Sequence, residues 1–304
     1  MNVTDRLEAS SNLPVRPIRV CRVTASGRSI QADVLAAEEP LEIRLGCDDD
    51  GRRVHRAVSV TMRTPGNDAE LAVGFLFTEG IVHSQQQVSR VDSCRGDSVV
   101  RVELTRGVAV DLTRLERHFY ATSSCGVCGK ASLEALRVYP RLRVPKRRLV
   151  VDPAVIHGLP EAVRARQAVF DRTGGLHAAA LFDAHGSLLG LYEDVGRHNA
   201  LDKLIGAEFL AGRMPLQDTV LLLSGRVSFE LVQKAAVAGI PILAAVGAPS
   251  SLAVSLAQEI GLTVIGFVRT DRFNIYTGAE RLAFDPIDSP SPVATGSRTP
   301  LPVS

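Results

Sequence analysis

Two cysteines at a C-x-x-C spacing are the residues of this chain whose type and spacing most directly suggest chemistry. Cys125 and Cys128 lie in the segment TSSCGVCGKAS, residues 122–132. If one of the preceding serines caps a helix, the free N–H groups and the helix dipole favour negative charge and lower a thiol pKa. Lys130 adds a cation nearby, and the surrounding glycines leave the sulfur accessible to a large partner. The segment therefore predicts a thiolate nucleophile at Cys125.

Three other interpretations of the cysteine pair are open. C-x-x-C is half of a tetrahedral zinc site, but the sequence has no second pair, so distant His177 or His198 would have to complete it. A thioredoxin-type redox pair should follow the first strand of a βαβ unit, whereas a β-rich half precedes this pair. Two buried structural cysteines suit the Ser/Gly setting poorly. We therefore expect a sulfur nucleophile and no dedicated metal ion.

Two strand-to-helix turns in the second half are candidate anion sites. LLLSGRVSFE places Ser224, Gly225 and Arg226 between a predicted strand and a predicted helix, and AAVGAPSSLA repeats the arrangement with Gly247 and Ser250. Helix N-termini that follow parallel strands bind phosphate through free N–H groups, and a guanidinium adds bidentate contacts. Both turns would open at the carboxyl edge of one sheet, where ligands bind in α/β folds. The alternative is that these serines and glycines only cap helices.

Several cationic side chains occupy positions that an anionic ligand would explain. Arg197 and His198 lie at a predicted helix start in EDVGRHNALDK, where cations oppose the helix dipole. A carboxylate partner or surface salt bridges are the alternatives there. His177 enters an apolar strand in RTGGLHAAALF, and taken alone it indicates a hydrogen-bonded core histidine rather than a catalyst. Arg269 and Arg272 follow the last predicted strand, where a phosphate at the sheet edge would lie.

Composition limits the class of protein. The 304 residues contain 45% apolar and 22% charged side chains, a balance typical of globular proteins, and the length suffices for two domains. A net charge of +2 and the lack of tryptophan argue against nucleic-acid and acidic-membrane binding. We find no apolar run that could span a bilayer and no signal segment. Five cysteines without a disulfide framework indicate a reducing compartment, so we expect a cytoplasmic protein in which Cys21, Cys47 and Cys94 are inert, partly buried thiols.

The first half of the chain is predicted to be mainly β. Short alternating strands begin near residues 18, 41, 56, 98 and 107 and are separated by Gly, Asp and Asn turns. One helix over residues 68–80 interrupts them, with Asp68 at its cap and Gly80 at its end.

The second half has a different pattern. A hairpin that turns at His185 and Gly186 is followed by helices over 197–212, 227–239 and 250–261, which alternate with strands over 219–225, 240–247 and 262–269. This βαβ order predicts a largely parallel sheet that is covered on both faces. Residues 140–153 read as a basic connector. The Pro/Ser/Thr-rich tail over 285–304 is predicted to be disordered.

Taken as a set, these motifs resemble the FdhD family, the accessory sulfurtransferases of formate dehydrogenase. The similarity covers about residues 18–284 and follows the order of the family's motifs. They are EEPLEIRLG, ELAVGFLFTEGI, SSCGVCGK, RTGGLHAAAL, EDVGRHNALDKLIG, LSGRVSFELVQKAA, GIPILAAVGAPSSLAVSLAQ and GFVRTDRFNIYTG. As a set they are far more specific than a C-x-x-C alone.

The resemblance implies a sulfur carrier that accepts persulfide sulfur from a cysteine desulfurase. It would transfer the sulfur to molybdenum in bis(molybdopterin guanine dinucleotide), a bound substrate, for the catalytic subunit of formate dehydrogenase. Cys125 matches the persulfide-bearing cysteine and Cys128 its partner. The family's cofactor-binding segment matches Phe267, Val268, Arg269, Thr270, Asp271 and Arg272. To these we add, as candidate cofactor-binding residues, Ser224, Gly225, Arg226, His177, Arg197 and His198.

The resemblance also implies an architecture and an oligomeric state. The fold class is α/β, with a β-rich α+β domain over residues 15–120 and a three-layer αβα domain, similar to cytidine deaminase, over 121–284. Family members associate as homodimers. The chain departs from zinc deaminases, because no glutamate follows His177 in an H-x-E pattern and no proline precedes the cysteine pair, so deaminase chemistry is not expected. A chaperone that binds the cofactor without covalent sulfur chemistry is the alternative function.

Overall fold

The computed structural model describes residues 13–93, 98–108, 110, 144 and 149–284. Cys94, Cys125, Cys128 and the tail predicted from residue 285 lie outside the described residues. Half of the predicted strand that begins at residue 107 and most of the basic connector also lie outside them. None of the helices in these ranges is both long and apolar enough to span a membrane.

The first part of the chain forms one antiparallel ribbon and a four-stranded sheet. Strands β1 (Val15–Thr24) and β2 (Gly27–Ala36) pair antiparallel as an isolated ribbon. Strands β3 (Glu39–Asp49), β4 (Arg52–Arg63), β5 (Val88–Ser93) and β6 (Val99–Leu104) form a sheet in the order β4-β3-β6-β5. Only β3 and β6 run parallel within that sheet. The β-rich first half is therefore confirmed, while β2 and β5 were missed because their apolar alternation is weak.

Helix α1 (Asp68–Thr78) begins differently from the prediction. Its N-cap is Asn67, which adopts the left-handed region with φ 57° and ψ 37°. Asp68 does not cap the helix. Its two carboxylate oxygens instead accept hydrogen bonds from the buried guanidinium of Arg63, each at 2.9 Å. Gly80 has φ 70° just beyond the helix end, as glycine allows, so the predicted end is confirmed.

The second part of the chain forms a six-stranded mixed sheet. Its strands are β7 (His177–Phe182), β8 (Leu188–Asp194), β9 (Val220–Leu223), β10 (Ile242–Ala245), β11 (Thr263–Gly266) and β12 (Asn274–Thr277). They are ordered β12-β11-β10-β9-β7-β8. Strands β9, β10 and β11 are parallel, as predicted. The prediction of a largely parallel sheet is otherwise wrong, because the predicted hairpin of β7 and β8 joins the sheet through an antiparallel pairing of β7 with β9, and the edge strand β12 pairs antiparallel with β11.

Helices lie on both faces of the six-stranded sheet. They are α2 (Pro153–Arg164), α3 (Ala168–Thr173), α4 (Arg197–Leu210), α5 (Phe229–Val237) and α6 (Ser251–Ile260). Leu221 and Leu223 of β9 share a buried cluster with residues of α1, α4, α5 and α6. Val220 and Leu222, which point to the other face, share a second cluster with residues of α2. The fold is thus mixed α/β, and its likeness to cytidine deaminase remains a prediction.

Helices α1 and α4 cross at backbone contact. A Cβ built on Gly74 would overlap the carbonyl oxygen of Asp202, and one built on Gly206 would overlap the carbonyl oxygen of Glu70. Glycine is required at both positions because any side chain would separate the helices. This crossing joins the two sheets in one buried cluster that extends from Leu41 of β3 to α6. The predicted boundary between residues 120 and 121 remains a prediction.

Helix α4 carries one residue of each of two buried ion pairs. In the pair that we call the interhelix pair, Lys234 Nζ of α5 lies 2.9 Å from both carboxylate oxygens of Asp202 and 2.8 Å from Thr78 Oγ1 of α1. In the turn pair, Lys203 Nζ lies 2.7 Å from Asp194 Oδ2. Burial raises the pKa of Asp202, although the nearby Lys234 opposes this rise.

Candidate functional site

The three parallel strands end at one edge of the sheet, and the loops that follow them contact one another. We call these the edge loops, residues 224–228, 246–250 and 267–273. Gly247 N–H donates to the carbonyl of Gly225 at 3.1 Å, and Phe267 N–H donates to the carbonyl of Gly247 at 3.1 Å. A Cβ on Gly247 would lie 2.6 Å from Gly225 O. The close approach of the three loops therefore depends on glycine, and the predicted carboxyl-edge placement is confirmed.

His177, the first residue of β7, lies beside the first edge loop and is partly buried. A Cβ on Gly225 would approach its Nδ1 to 3.1 Å. Ser224 joins the loop to β7 through two bonds, because its Oγ accepts the N–H of Ala178 at 2.8 Å and its own N–H donates to the carbonyl of Ala178 at 3.0 Å. The sequence separates His177 from Ser224 by 46 residues, and the antiparallel pairing of β7 with β9 brings them together.

A cavity of about 770 Å³ opens beside His177. Its walls combine apolar side chains, which suit a flat ring system, with a few polar groups from β7 and the edge loops. Of the predicted site residues, His177, Ser224 and Thr270 line it. Helix α2, helix α3 and the residues around them supply most of the opposite wall, including Val163, Arg164, Gln167, Phe170 and Leu176.

The wall formed by α2 and α3 was missed in the sequence. Helix α2 starts where a known signal predicts it, because Pro153 follows Asp152 and the carboxylate of Asp152 accepts the N–H of Ala154 at 2.7 Å. The start of α3 is fixed from elsewhere in the chain. The Glu193 carboxylate of β8 accepts the N–H groups of Val169 and Phe170 at 3.2 and 3.0 Å. Such a long-range cap leaves no local sequence signal.

A second cavity, of about 120 Å³, lies on the other side of His177 at the start of α4. His177, Arg197 and His198 line it together with Gly196. His198 Nε2 lies 3.2 Å from Ser228 Oγ and 3.9 Å from Glu230 Oε2, so a carboxylate lies near this imidazole. Arg197 Nε is buried, and among the described residues it has no hydrogen-bond partner. The structure thus brings three of the predicted residues to one small polar cavity.

The electrostatic environment of His177 is positive. Burial lowers its pKa below the ordinary value of 6.5, and the nearby charges of Arg197 and Arg226 lower it further, against the opposing influence of Asp194. The imidazole is therefore neutral at neutral pH. An anionic ligand placed beside His177 would offset the two guanidinium charges.

The residues of the third edge loop have different roles. Phe267 is 41% exposed and has φ 55°, a conformation uncommon for a residue with a bulky side chain. Val268 is fully buried, and its N–H donates to Ala245 O, so its side chain contributes to the core. Arg269 Nη1 donates to the carbonyls of Val246 and Val268 at 2.9 and 2.7 Å, so part of this guanidinium holds the loop. Asp271 and Arg272 are exposed and line neither of the two cavities described above.

The described thiols differ from the earlier prediction in one case. Cys47 is 1% exposed, and burial raises the pKa of its thiol, which fits an inert cysteine. Cys21 is exposed on the ribbon of β1 and β2, so the prediction that it is partly buried is wrong. The geometry around the sulfur nucleophile predicted at Cys125 lies outside the described residues.

The arrangement at the sheet edge is suited to a ligand with two chemically different parts. The larger cavity offers volume and apolar walls, while His177, Arg197, His198 and the exposed Arg226 place cationic or hydrogen-bonding groups beside it. A molecule with a flat ring system and an anionic group fits this combination. Ser250 shows the alternative role, since its Oγ accepts the N–H of Ala253 and caps α6.

Comparison with known proteins identifies consistent relatives. Residues 36–283 match the model of the FdhD/NarQ family. The chain is 51% identical over 272 residues to a protein of Mycolicibacterium paratuberculosis named sulfur carrier protein FdhD, with 87% of this chain and 97% of that protein covered. A protein of the same name from Sulfurisphaera tokodaii is 44% identical over 270 residues, with 89% and 100% covered.

A solved structure agrees with this assignment. The crystal structure of a protein from Desulfotalea psychrophila, described as a formate dehydrogenase accessory protein, superimposes with a TM-score of 0.70. The two chains are 25% identical, and the match covers 89% of this chain and 100% of the other.

Proposed function

This chain belongs to the FdhD/NarQ family, and from that premise we propose that it is a sulfur carrier in the maturation of formate dehydrogenase. The observation that carries the proposal is the 51% identity, over nearly the whole length of both chains, to a protein named a sulfur carrier. We propose a cysteine desulfurase as the donor and the molybdenum of bis(molybdopterin guanine dinucleotide), bound as substrate, as the acceptor. The modified cofactor would then pass to the catalytic subunit of formate dehydrogenase.

The proposed transfer starts at Cys125. Its thiolate attacks the terminal sulfur of a persulfide on the desulfurase, so that one S–S bond breaks, another forms and the desulfurase thiolate leaves. No net oxidation occurs in this step, and the product is a persulfide on Cys125. Delivery of the sulfur as sulfide takes up two electrons. We assign them to Cys128, whose thiolate forms a disulfide with Cys125 as the sulfide is released.

The edge loops and the two cavities support the cofactor half of the proposal. Each guanine dinucleotide has a flat base and a diphosphate, which are the two parts that the sheet edge is suited to bind. Gly225 and Gly247 have no side chains to keep a phosphate from the loop backbone, and Arg226 is exposed beside them. We propose that the base occupies the larger cavity and that the diphosphate lies toward Arg197, His198 and Arg226.

The cellular context follows from the chemistry. A persulfide carrier must keep its cysteine reduced between cycles, so we propose a cytoplasmic location. The proposed partners are the desulfurase, the dehydrogenase subunit and a second copy of this chain, since the family resemblance implies a homodimer.

Formate dehydrogenase activity in a host that depends on this chain tests the proposal. We expect Cys125→Ala to abolish the activity, because no other residue in the proposed transfer can form the first persulfide. Cys21→Ala is the matched control, since Cys21 is an exposed thiol outside the pair and its loss should leave activity unchanged. Full activity of Cys125→Ala, together with lost activity of Arg226→Ala, would contradict sulfur transfer and favour a non-covalent cofactor chaperone.

A further inference from the structure

The turn between β8 and α4, residues 194–196, is held by a buried hydrogen-bond network. Asp194 is fully buried, and its Oδ1 accepts the N–H of Gly196 at 2.8 Å and Asn199 Nδ2 at 3.1 Å. Its Oδ2 accepts the N–H of Thr64 at 3.1 Å and contacts Lys203 Nζ at 2.7 Å. All four interactions are made away from bulk water, so this carboxylate has one orientation.

Lys203 completes the network from the second turn of α4. Its side chain is 2% exposed, and besides Asp194 its Nζ contacts the carbonyls of Thr64 at 2.8 Å and Glu193 at 3.4 Å. An ammonium group has three protons, and each of them has an acceptor here. A buried pair with its remaining hydrogen bonds satisfied is stable only in this geometry, so it defines the distance between the end of β8 and helix α4.

Thr64 connects this turn to the four-stranded sheet, because it follows β4 directly. Its Oγ1 accepts the N–H of Val195 at 3.1 Å, and its backbone contacts both members of the turn pair. Asn199 adds a second link, since its Nδ2 donates to the carbonyl of Met62 at 2.8 Å. Both N–H groups that follow Asp194 therefore have side-chain acceptors.

Two of the residues that line the smaller cavity come directly after this turn. Arg197 and His198 are the first two residues of α4, and Asp194 is the register partner of His177 across β7 and β8. A displacement of the turn would therefore move Arg197 and His198 relative to His177. Asp194, Lys203 and Thr64 do not line the smaller cavity, whereas Gly196 and Asn199 of the network form part of its wall.

We propose that Asp194, Lys203 and Thr64 are positioning residues that hold Arg197 and His198 at the distance from His177 at which they bind the anionic part of the ligand. The proposal deepens the cofactor half of the proposed function. It assigns none of the three residues a contact with ligand. The interhelix pair is also buried and also has one member, Asp202, on α4, but it contacts α1 and α5 instead of the turn.

Guanosine diphosphate, the nucleotide part of the proposed substrate, is the probe for the first test. We expect the charge-neutral double variant Asp194→Asn/Lys203→Met to bind it at least about tenfold more weakly than the unmodified chain, as expected for one lost charge-assisted contact. The matched double variant Asp202→Asn/Lys234→Met should bind within about twofold of the unmodified chain, because its pair lies away from the turn. Equal affinities of the two double variants in calorimetry would overturn the proposal.

A second test needs no ligand and separates this proposal from the proposed function. Thr64→Val removes one hydrogen-bond acceptor and leaves every charge of the chain in place. A change in the pKa of His177, measured by NMR, would therefore report that the groups around His177 have moved. Burial lowers this pKa most, Arg197 and Arg226 lower it further, and Asp194 opposes them. We expect the pKa to rise toward its ordinary value as Arg197 moves away, and Thr64→Ser, which keeps the hydroxyl, to restore it.

The outcomes of the two tests are distinct. If the unmodified chain does not bind guanosine diphosphate, the cofactor half of the proposed function fails, and the titration of His177 still decides the positioning role. An unchanged His177 titration in Thr64→Val would overturn that role whatever the nucleotide result. If the turn-pair double variant does not fold, the comparison of Thr64→Val with Thr64→Ser decides in its place.

Discussion

Helix α4 joins two regions that are chemically similar and structurally different. Through Lys203, the turn pair holds the turn beside the candidate ligand site, and through the preceding residue, Asp202, the interhelix pair holds α4 against α1 and α5. Both pairs are buried, and both consist of one aspartate and one lysine. The two pairs differ in the part of the structure that they hold in place. The turn pair holds a turn beside the candidate ligand site, whereas the interhelix pair holds helices together in the core.

The largest expected effect is on stability and is shared by the two pairs. Lys203→Met and Lys234→Met each leave a buried aspartate without its cation, and we expect each to lower the free energy of unfolding by about 3 to 5 kcal/mol. Urea denaturation at neutral pH measures this. Only Lys203→Met should also weaken nucleotide binding.

The comparison between the pairs fails if the two variants behave alike in both measurements. If either variant lost less than about 1 kcal/mol of unfolding free energy, its ion pair would contribute no more than an exposed surface pair does. The stabilising role of that buried pair would then be contradicted. Equal loss of nucleotide affinity in both variants would instead show that any weakening of α4 disturbs the site.

The next effect concerns the glycine crossing beside the interhelix pair. Gly206→Ala introduces a methyl group that overlaps the carbonyl of Glu70, and we expect a loss of about 1 to 3 kcal/mol in unfolding free energy. Gly158→Ala in α2 is the matched control. A Cβ there has nothing within 4 Å, so the variant should gain about 0.5 to 1 kcal/mol from helix propensity. Thermal denaturation measures the stability of both variants. If Gly206→Ala were as stable as the unmodified chain, the backbone contact between α1 and α4 would be contradicted.

The smallest effect is a pH dependence at the site end of α4. Because the folded chain lowers the pKa of His177 below 6.5, the unfolded chain takes up this proton first as the pH falls. His177 therefore lowers stability increasingly below pH 6.5 and has no such effect above it. The variant His177→Asn has no imidazole to take up this proton. Its free energy of unfolding should therefore fall less steeply as the pH falls below 6.5. Urea titrations that give parallel pH profiles for the two chains would show that burial and the nearby guanidinium charges do not lower the pKa of His177 in solution.

Strong local patterns in the sequence predicted much of the fold. The start of α4 and the hairpin at Gly186 were confirmed, because helical spacing and a turn glycine are local signals. The direction of β12 was not predictable in this way. That strand has four residues, and its reversal depends on the loop that follows β11. The crossing at Gly74 and Gly206 also has no local signal, since each glycine is required by a residue far away in the chain.

The candidate site was predicted in part, because some of its features have local sequence signals and others depend on residues far away in the chain. The edge loops were found because glycine and serine after parallel strands form a recognisable pattern. Helix α3 was missed because Glu193 caps it from another strand. Arg269 was predicted from its position as an anion ligand, whereas the structure shows part of its guanidinium bound to backbone carbonyls. Sequence position can place a charge near a site, but its partners depend on tertiary contacts.

The proposed sulfur transfer depends on Cys125 as the residue that carries the sulfur. Mass spectrometry of the chain after incubation with a cysteine desulfurase and cysteine tests it most directly, with Cys21 as an internal control because it is an exposed thiol outside the C-x-x-C pair. We expect the peptide that contains Cys125 to gain the mass of one sulfur atom, the peptide that contains Cys21 to stay unmodified, and Cys125→Ser to lose the gain. Equal sulfur on both peptides, or a gain that persists in Cys125→Ser, would contradict the claim.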